Sequence, residues 1–85
     1  MEKNKISFVI PAHNEEKIIG KTLSNLYKLP YEKYEVLIGL DGCTDKTEDI
    51  AKSFTKKSGK FKYFKMKSRS GKPDVIDYLI KKSKG

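Results

Sequence analysis

Two short apolar runs, Ile6–Ile10 and Tyr34–Leu40, limit most sharply what this chain can become. Both are rich in β-branched or aromatic residues, and both stop abruptly, the first at Pro11 and the second at Asp41-Gly42. That is the form of a buried strand that ends in a turn. Between them, Ile19, Leu23 and Leu26 fall at i, i+4 and i+7, with Ile18 and Thr22 alongside. This spacing predicts an amphipathic helix from an Asn14 cap to about Lys28, with Glu15 and Glu16 complementing its dipole.

The same alternation continues to the end. Thr47, Ile50, Ala51 and Phe54 mark a second helical stripe, capped by Thr44 or Asp45 and closed at Ser58-Gly59. Lys60 to Met66 interleaves lysines with Phe61, Tyr63, Phe64 and Met66, a third strand whose alternation slips between Tyr63 and Phe64, as at a bulge or an edge. After Ser68-Arg69-Ser70-Gly71, Pro73 suits a first helical turn, and Val75, Ile76, Leu79 and Ile80 give the last helix its apolar face.

The pattern βαβαβα predicts an α/β fold, a three-layer, Rossmann-like half domain with a parallel sheet of strand order 3-2-1, in a single domain over 1–85. Ligands bind such sheets at the carboxyl ends of the strands, beside the point where strand order reverses. Pro11 to Asn14, Asp41 to Asp45 and Met66 to Lys72 then share one rim.

Composition narrows the classes. A chain of 85 residues, 36% hydrophobic and 35% charged, is too apolar for disorder and too charged for a membrane interior, and has no spanning-length apolar run. One cysteine, Cys43, and one histidine, His13, exclude an internal disulfide and argue against structural zinc. With no secretion signal legible, the expected location is cytoplasmic. The net charge of +8 is uneven: residues 1–54 hold 8 Lys against 9 acids, and 55–85 hold 11 Lys/Arg against 2 Asp. A basic third attracts anions of many kinds, and a solvated lysine surface needs none.

Among rim residues, Asp41 at a strand tip before a glycine is the leading candidate for a ligand contact, with turn capping as the plainer alternative. Ser68 to Lys72 has the character of an anion cradle before a helix. It is not a P-loop, because Met66 and Pro73 stand where glycine and Ser/Thr belong, and no Gly-x-Gly-x-x-Gly follows the first strand. Asp41 to Asp45 lacks the acidic spacing of a calcium loop. Cys43 reads as a small half-buried residue.

Phe8 to Glu16 and Val36 to Thr47 together resemble the opening of GT-A glycosyltransferases of the large inverting family that includes cellulose, chitin and hyaluronan synthases and dolichyl-phosphate mannosyltransferases. The resemblance implies a truncated GT-A fold and inverting transfer of a sugar from a nucleoside diphosphate sugar, UDP or GDP type, to a hydroxyl acceptor. It matches Asp41 to the aspartate that holds the base, Pro11, Ala12 and His13 to the loop along the base, Glu15 to an acid near the ribose, and Lys72 to a basic residue reaching the ribose or diphosphate. It further implies a divalent metal, Mg or Mn, held by an Asp-x-Asp motif on a strand after the position of Gly85, and a later general base, so no catalytic or metal residue is assigned here. Leu40 and Cys43 depart from the family's usual aspartate and serine, and Pro73 and Asp77 from its usual small residue and asparagine.

A basic non-catalytic module, with Phe61, Tyr63 and Phe64 engaging nucleic acid or an anionic surface, is the alternative function. Because the family pairs a fourth strand beside the first, an open edge on the first strand, with self-association through it, is also expected.

Overall fold

A computed structural model describes residues 5–66 and 71–83. Three strands, β1 (Ile6–Ala12), β2 (Tyr34–Leu40) and β3 (Phe61–Lys65), alternate with helices α1 (Glu16–Tyr27), α2 (Thr47–Lys57) and α3 (Lys72–Lys82). The strands form a parallel sheet of order β1-β2-β3, the expected order read from its other edge.

β2 is buried along its whole length because helices cover both its faces. Its even-numbered side chains, Tyr34, Val36, Ile38 and Leu40, pack with Ile19 and Leu23 of α1 and Ala51 and Phe54 of α2. Leu37 on the opposite face meets Val75 and Leu79 of α3. Burying each of the large aliphatic chains contributes about 1.5 to 3 kcal/mol. The third layer needs a close approach: a Cβ on Gly39 would overlap Val75 Cγ1 and lie 3.2 Å from Leu79 Cδ1. Glycine at this position therefore sets how near α3 sits to the sheet.

Several sequence expectations change in detail. β1 runs through Pro11 to Ala12 instead of stopping at Pro11. The Ile6 N–H donates to Lys33 O, and Ala12 O accepts from the Asp41 N–H, so even-numbered backbone groups of β1 face β2. Pro11 faces the outer edge, where no strand pairs among the described residues, and its missing N–H breaks no ladder bond there. β3 keeps an unbroken register against Val36–Leu40, so the slip in its alternation is no bulge. Phe61 and Tyr63 join the α1/α2 core while Phe64 and Met66 join the α3 cluster, which leaves Lys62 exposed. In α3, Val75 and Leu79 are buried whereas Ile80 is 55% exposed, so the apolar face is narrower than its spacing suggested.

The charges also separate in space. Each helix returns antiparallel to the strands, so helix N-termini lie at the carboxyl rim and C-termini where the strands begin. Glu15, Glu16, Asp41, Asp45, Glu48, Asp49 and Asp74 gather toward the rim. The lysines that close α2 and α3 and those in the connections after α1 and α2 gather at the opposite end, whereas Lys46, Lys65 and Lys72 belong to the rim end. The last-third excess seen in sequence is one part of this axial division.

Candidate functional site

Asp41 continues the odd-numbered side of β2 beyond Leu37 and Gly39, so its carboxylate turns toward the start of α3. Only 3% exposed, it accepts the Gly71 N–H at Oδ2, 2.8 Å away. Gly71 has φ +89, a backbone state that glycine adopts without strain. The tip of β2 and the entry to α3 are thus joined through the residue singled out in sequence.

His13 follows β1 and places Nδ1 2.6 Å from Asp41 O. A carbonyl only accepts, so Nδ1 carries the proton, and in the neutral ring Nε2 is left as an acceptor. Glu15 turns Oε1 back to the His13 N–H at 3.3 Å. Ala12, by contrast, is 1% exposed, its methyl in the core and its carbonyl accepting from the Asp41 N–H and the Cys43 thiol. Pro11 and Ala12 are strand residues and not part of the following loop. Lys72 opens α3, but its side chain, like Ser68 to Ser70 of the expected anion cradle, lies outside the described residues.

Asn14 is not the N-cap of α1. It adopts φ 50, in the left-handed region, and reaches across to the other loop, where Oδ1 accepts Thr44 N–H at 2.7 Å and Asp45 N–H at 3.2 Å. The exchange is reciprocal. Asp45 Oδ2 accepts Glu16 N–H at 3.2 Å, Thr47 Oγ1 accepts Glu15 N–H at 2.8 Å, and Glu16 Oε1 accepts Lys46 N–H at 3.2 Å. Asp45 Oδ1 also takes the Thr47 N–H at 2.9 Å. Two neighbouring helices therefore satisfy each other's orphan N–H groups, work normally done by each helix's own cap. Burial acts to raise the Asp45 pKa, but hydrogen bonds from Thr47 and from the Glu16 N–H outweigh it and hold the carboxyl below its ordinary value. The one signal in sequence was asparagine itself, which tolerates the left-handed region better than most residues.

Of the β3 aromatics, Phe61 is 2% exposed, Tyr63 is half-buried against the α1/α2 core, and Phe64 lies edge-on to Tyr78 at 5.9 Å. Lys65 pairs with Glu48 at 3.4 Å. Among the described residues no group of three or more His, Cys, Asp or Glu side chains could hold a metal ion, and no helix is long and apolar enough to cross a membrane.

The chain that carries this rim has relatives of known family. The family model described as Glycosyl transferase family 2 matches residues 7–85. The chain belongs to glycosyl transferase family 2. Within it, the chain is similar to a poly-beta-1,6-N-acetyl-D-glucosamine synthase of Staphylococcus epidermidis, 33% identical over 78 residues, covering 92% of this chain and 19% of the relative. An uncharacterized protein of Methanocaldococcus jannaschii is 48% identical over 52 residues, covering 61% of this chain and 21% of that one.

Among solved structures, Staphylococcus aureus TarS 1-349 in complex with UDP-GlcNAc superposes with TM-score 0.88 at 28% identity, over 95% of this chain and 24% of that chain. The mannosyltransferase PcManGT of Pyrobaculum calidifontis, in complex with GDP-Man and Mn2+, superposes with TM-score 0.86 at 21% identity, over 95% of this chain and 25% of that one, and shows the shared fold. The fold is the Rossmann-like GT-A arrangement. The chain spans about a fifth of the length of the curated relatives it matches.

Proposed function

We propose that residues 1–85 form one domain, the donor-nucleotide-binding part of a glycosyltransferase that moves a sugar, with inversion, from a nucleoside diphosphate sugar to a hydroxyl acceptor. The observation that carries this reading is Asp41, a buried carboxylate at the carboxyl end of the central strand, in a chain whose structural neighbour TarS is held in complex with UDP-GlcNAc. A carboxylate accepts several donors at once, so Asp41 can take a base N–H in addition to Gly71. His13, with its proton held on Nδ1, can accept from a base or sugar through Nε2. Glu15 supplies an acceptor toward the ribose, Pro11 and the Ala12 backbone a wall along the base, and Lys72 a cation for the diphosphate.

PcManGT is held with Mn2+, and a divalent metal of this kind would neutralise the leaving diphosphate. The residues described here do not assemble a site for it, so no chemical step is assigned to this chain and it is proposed to be inactive alone. With one cysteine and the reducing setting this suits, cytoplasmic action is part of the proposal.

Titration with UDP and GDP, followed by amide shifts, tests it. Perturbations centred on His13, Asp41 and Gly71 are expected. Asp41→Asn should lower affinity about tenfold or more, the loss of one charge-assisted hydrogen bond. Nucleotide binding unaffected by that substitution would defeat the assignment of Asp41.

Self-association belongs to the same proposal. The outer edge of β1 carries backbone groups that no described strand pairs, with Ile6 46% exposed and a groove alongside lined by Phe8, Ile10, Thr22 and Leu26. An edge of this kind recruits another strand. Sedimentation equilibrium should show a concentration-dependent dimer, weakened by Val9→Pro; a monomer at high concentration contradicts it.

A further inference from the structure

The end of the domain where the strands begin, opposite the nucleotide rim, is basic and fringed with apolar rings. Lys28 and Lys33 flank the α1–β2 connection, Lys56 and Lys57 close α2, and Lys60 precedes β3. Lys81 and Lys82 close α3 at the same end. The acids there are Glu32 and Glu35, and Glu35 is buried and accepts the Ser7 hydroxyl at 2.6 Å. Lysines at helix C-termini complement the dipoles, which accounts for those that end α2 and α3. Lys60 donates Nζ to Glu32 O and lies over the Tyr34 ring at 4.8 Å. Dipole complementation does not account for Lys33 in the α1–β2 connection. Nor does it explain why Tyr27, Leu29 and Tyr31 stand 45%, 37% and 40% exposed among them.

We propose that this end docks on an anionic bilayer surface. Two observations favour lipid over nucleic acid. The two phenylalanines at this end, Phe54 and Phe61, are buried in the core and present no face to a base, with Tyr27 packed 6.3 Å and 6.2 Å from them and Lys57 over the Phe54 ring at 4.8 Å. What remains outward is Leu29 and Tyr31 in the connection after α1 and the exposed part of Tyr27 at the end of that helix, side chains suited to the headgroup level, with flexible lysines around them. Acidic headgroups supply the complementary charge. The surface is independent of nucleotide binding, since it uses none of the rim residues.

Co-sedimentation of the chain with phosphatidylserine-rich and pure phosphatidylcholine vesicles at low salt tests the proposal. Binding is expected only to the first. Each lysine near such a surface changes partitioning roughly fivefold, so the triple variant K28Q/K33Q/K56Q should weaken binding on the order of a hundredfold. Compared at about 0.1 M salt, K17Q/K21Q/K46Q removes the same charge from exposed sites toward the other end and should cost less than about tenfold, because a charge more than the ~10 Å Debye length from the membrane is screened. Leu29→Ser should weaken the binding that persists at raised salt. All these positions are exposed, and unchanged circular dichroism verifies that each variant folds. The proposal is overturned by no binding to acidic vesicles at low salt, by equal losses in the two triples, or by tighter binding to an oligonucleotide that is indifferent to Leu29→Ser.

Discussion

Replacing Gly39 with valine should abolish the native packing of α3 and lower stability by about 3 kcal/mol or more, at the upper end of what overpacking a core produces. For an 85-residue chain whose whole stability is about 4 to 13 kcal/mol, that is a large fraction. The first added atom already overlaps Val75 Cγ1, and Val75 is β-branched and buried, so it has little rotamer freedom to give way. Relief must come from moving α3 as a body. Gly71 stands at the N-cap of that helix and its N–H holds Asp41, so displacement is transmitted to the carboxyl rim.

Urea unfolding followed by circular dichroism measures the loss. Gly39→Ala should show a smaller one of about 1 to 3 kcal/mol. Gly39→Ala combined with Val75→Ala should recover part of it, since the second change removes the atom struck by the first. A double variant no more stable than the sum of its parts would show that the clash is not what glycine avoids.

How much of this could be read from sequence depends on whether a feature is periodic or relational. The elements were legible because a strand between two helical layers must be apolar at nearly every position, as Tyr34 to Leu40 is apart from Glu35, and because Ile19, Leu23, Ala51 and Phe54 repeat at helical spacing. Strand order followed from the short crossovers. Asp41 was legible because a carboxylate directly after a buried strand has one place to be. Gly39 was not, since a glycine in a strand does not say what comes near it; its meaning lies in Val75, 36 positions later. The extension of β1 through Pro11 was hidden for a similar reason, because proline is excluded only from the paired side of a strand, and pairing is a property of the sheet. The axial division of charge emerges only after the helices are folded back on the strands.

Asn14 is the clearest relational case, and it leads to a graded set of expected results. Asn14→Ala removes the acceptor for Thr44 N–H and Asp45 N–H, each such bond contributing about 1 kcal/mol, and leaves a residue with a Cβ in the left-handed region, a further cost of about 1 kcal/mol. A loss of about 2 to 3 kcal/mol is expected. Asn14→Gly keeps the backbone state and loses only the acceptor, so it should fall between alanine and wild type. Asn14→Asp keeps both, and its charge faces the α2 N-terminus, where an anion is favoured, although Asp45 and Glu16 nearby offset part of that gain. Aspartate should therefore lie nearest wild type.

The order wild type, Asp, Gly, Ala in urea midpoint separates a tie between two loops from simple helix capping. In capping, glycine follows serine or asparagine closely and the effect stays on α1. Hydrogen exchange locates the difference. If Asn14 ties the loops, the amides of Thr44 and Asp45, some thirty residues away, lose protection in the alanine and glycine variants and keep it in the aspartate one. Protection at those two amides that does not change on losing the Asn14 side chain would assign their order to Asp45 and Thr47 alone.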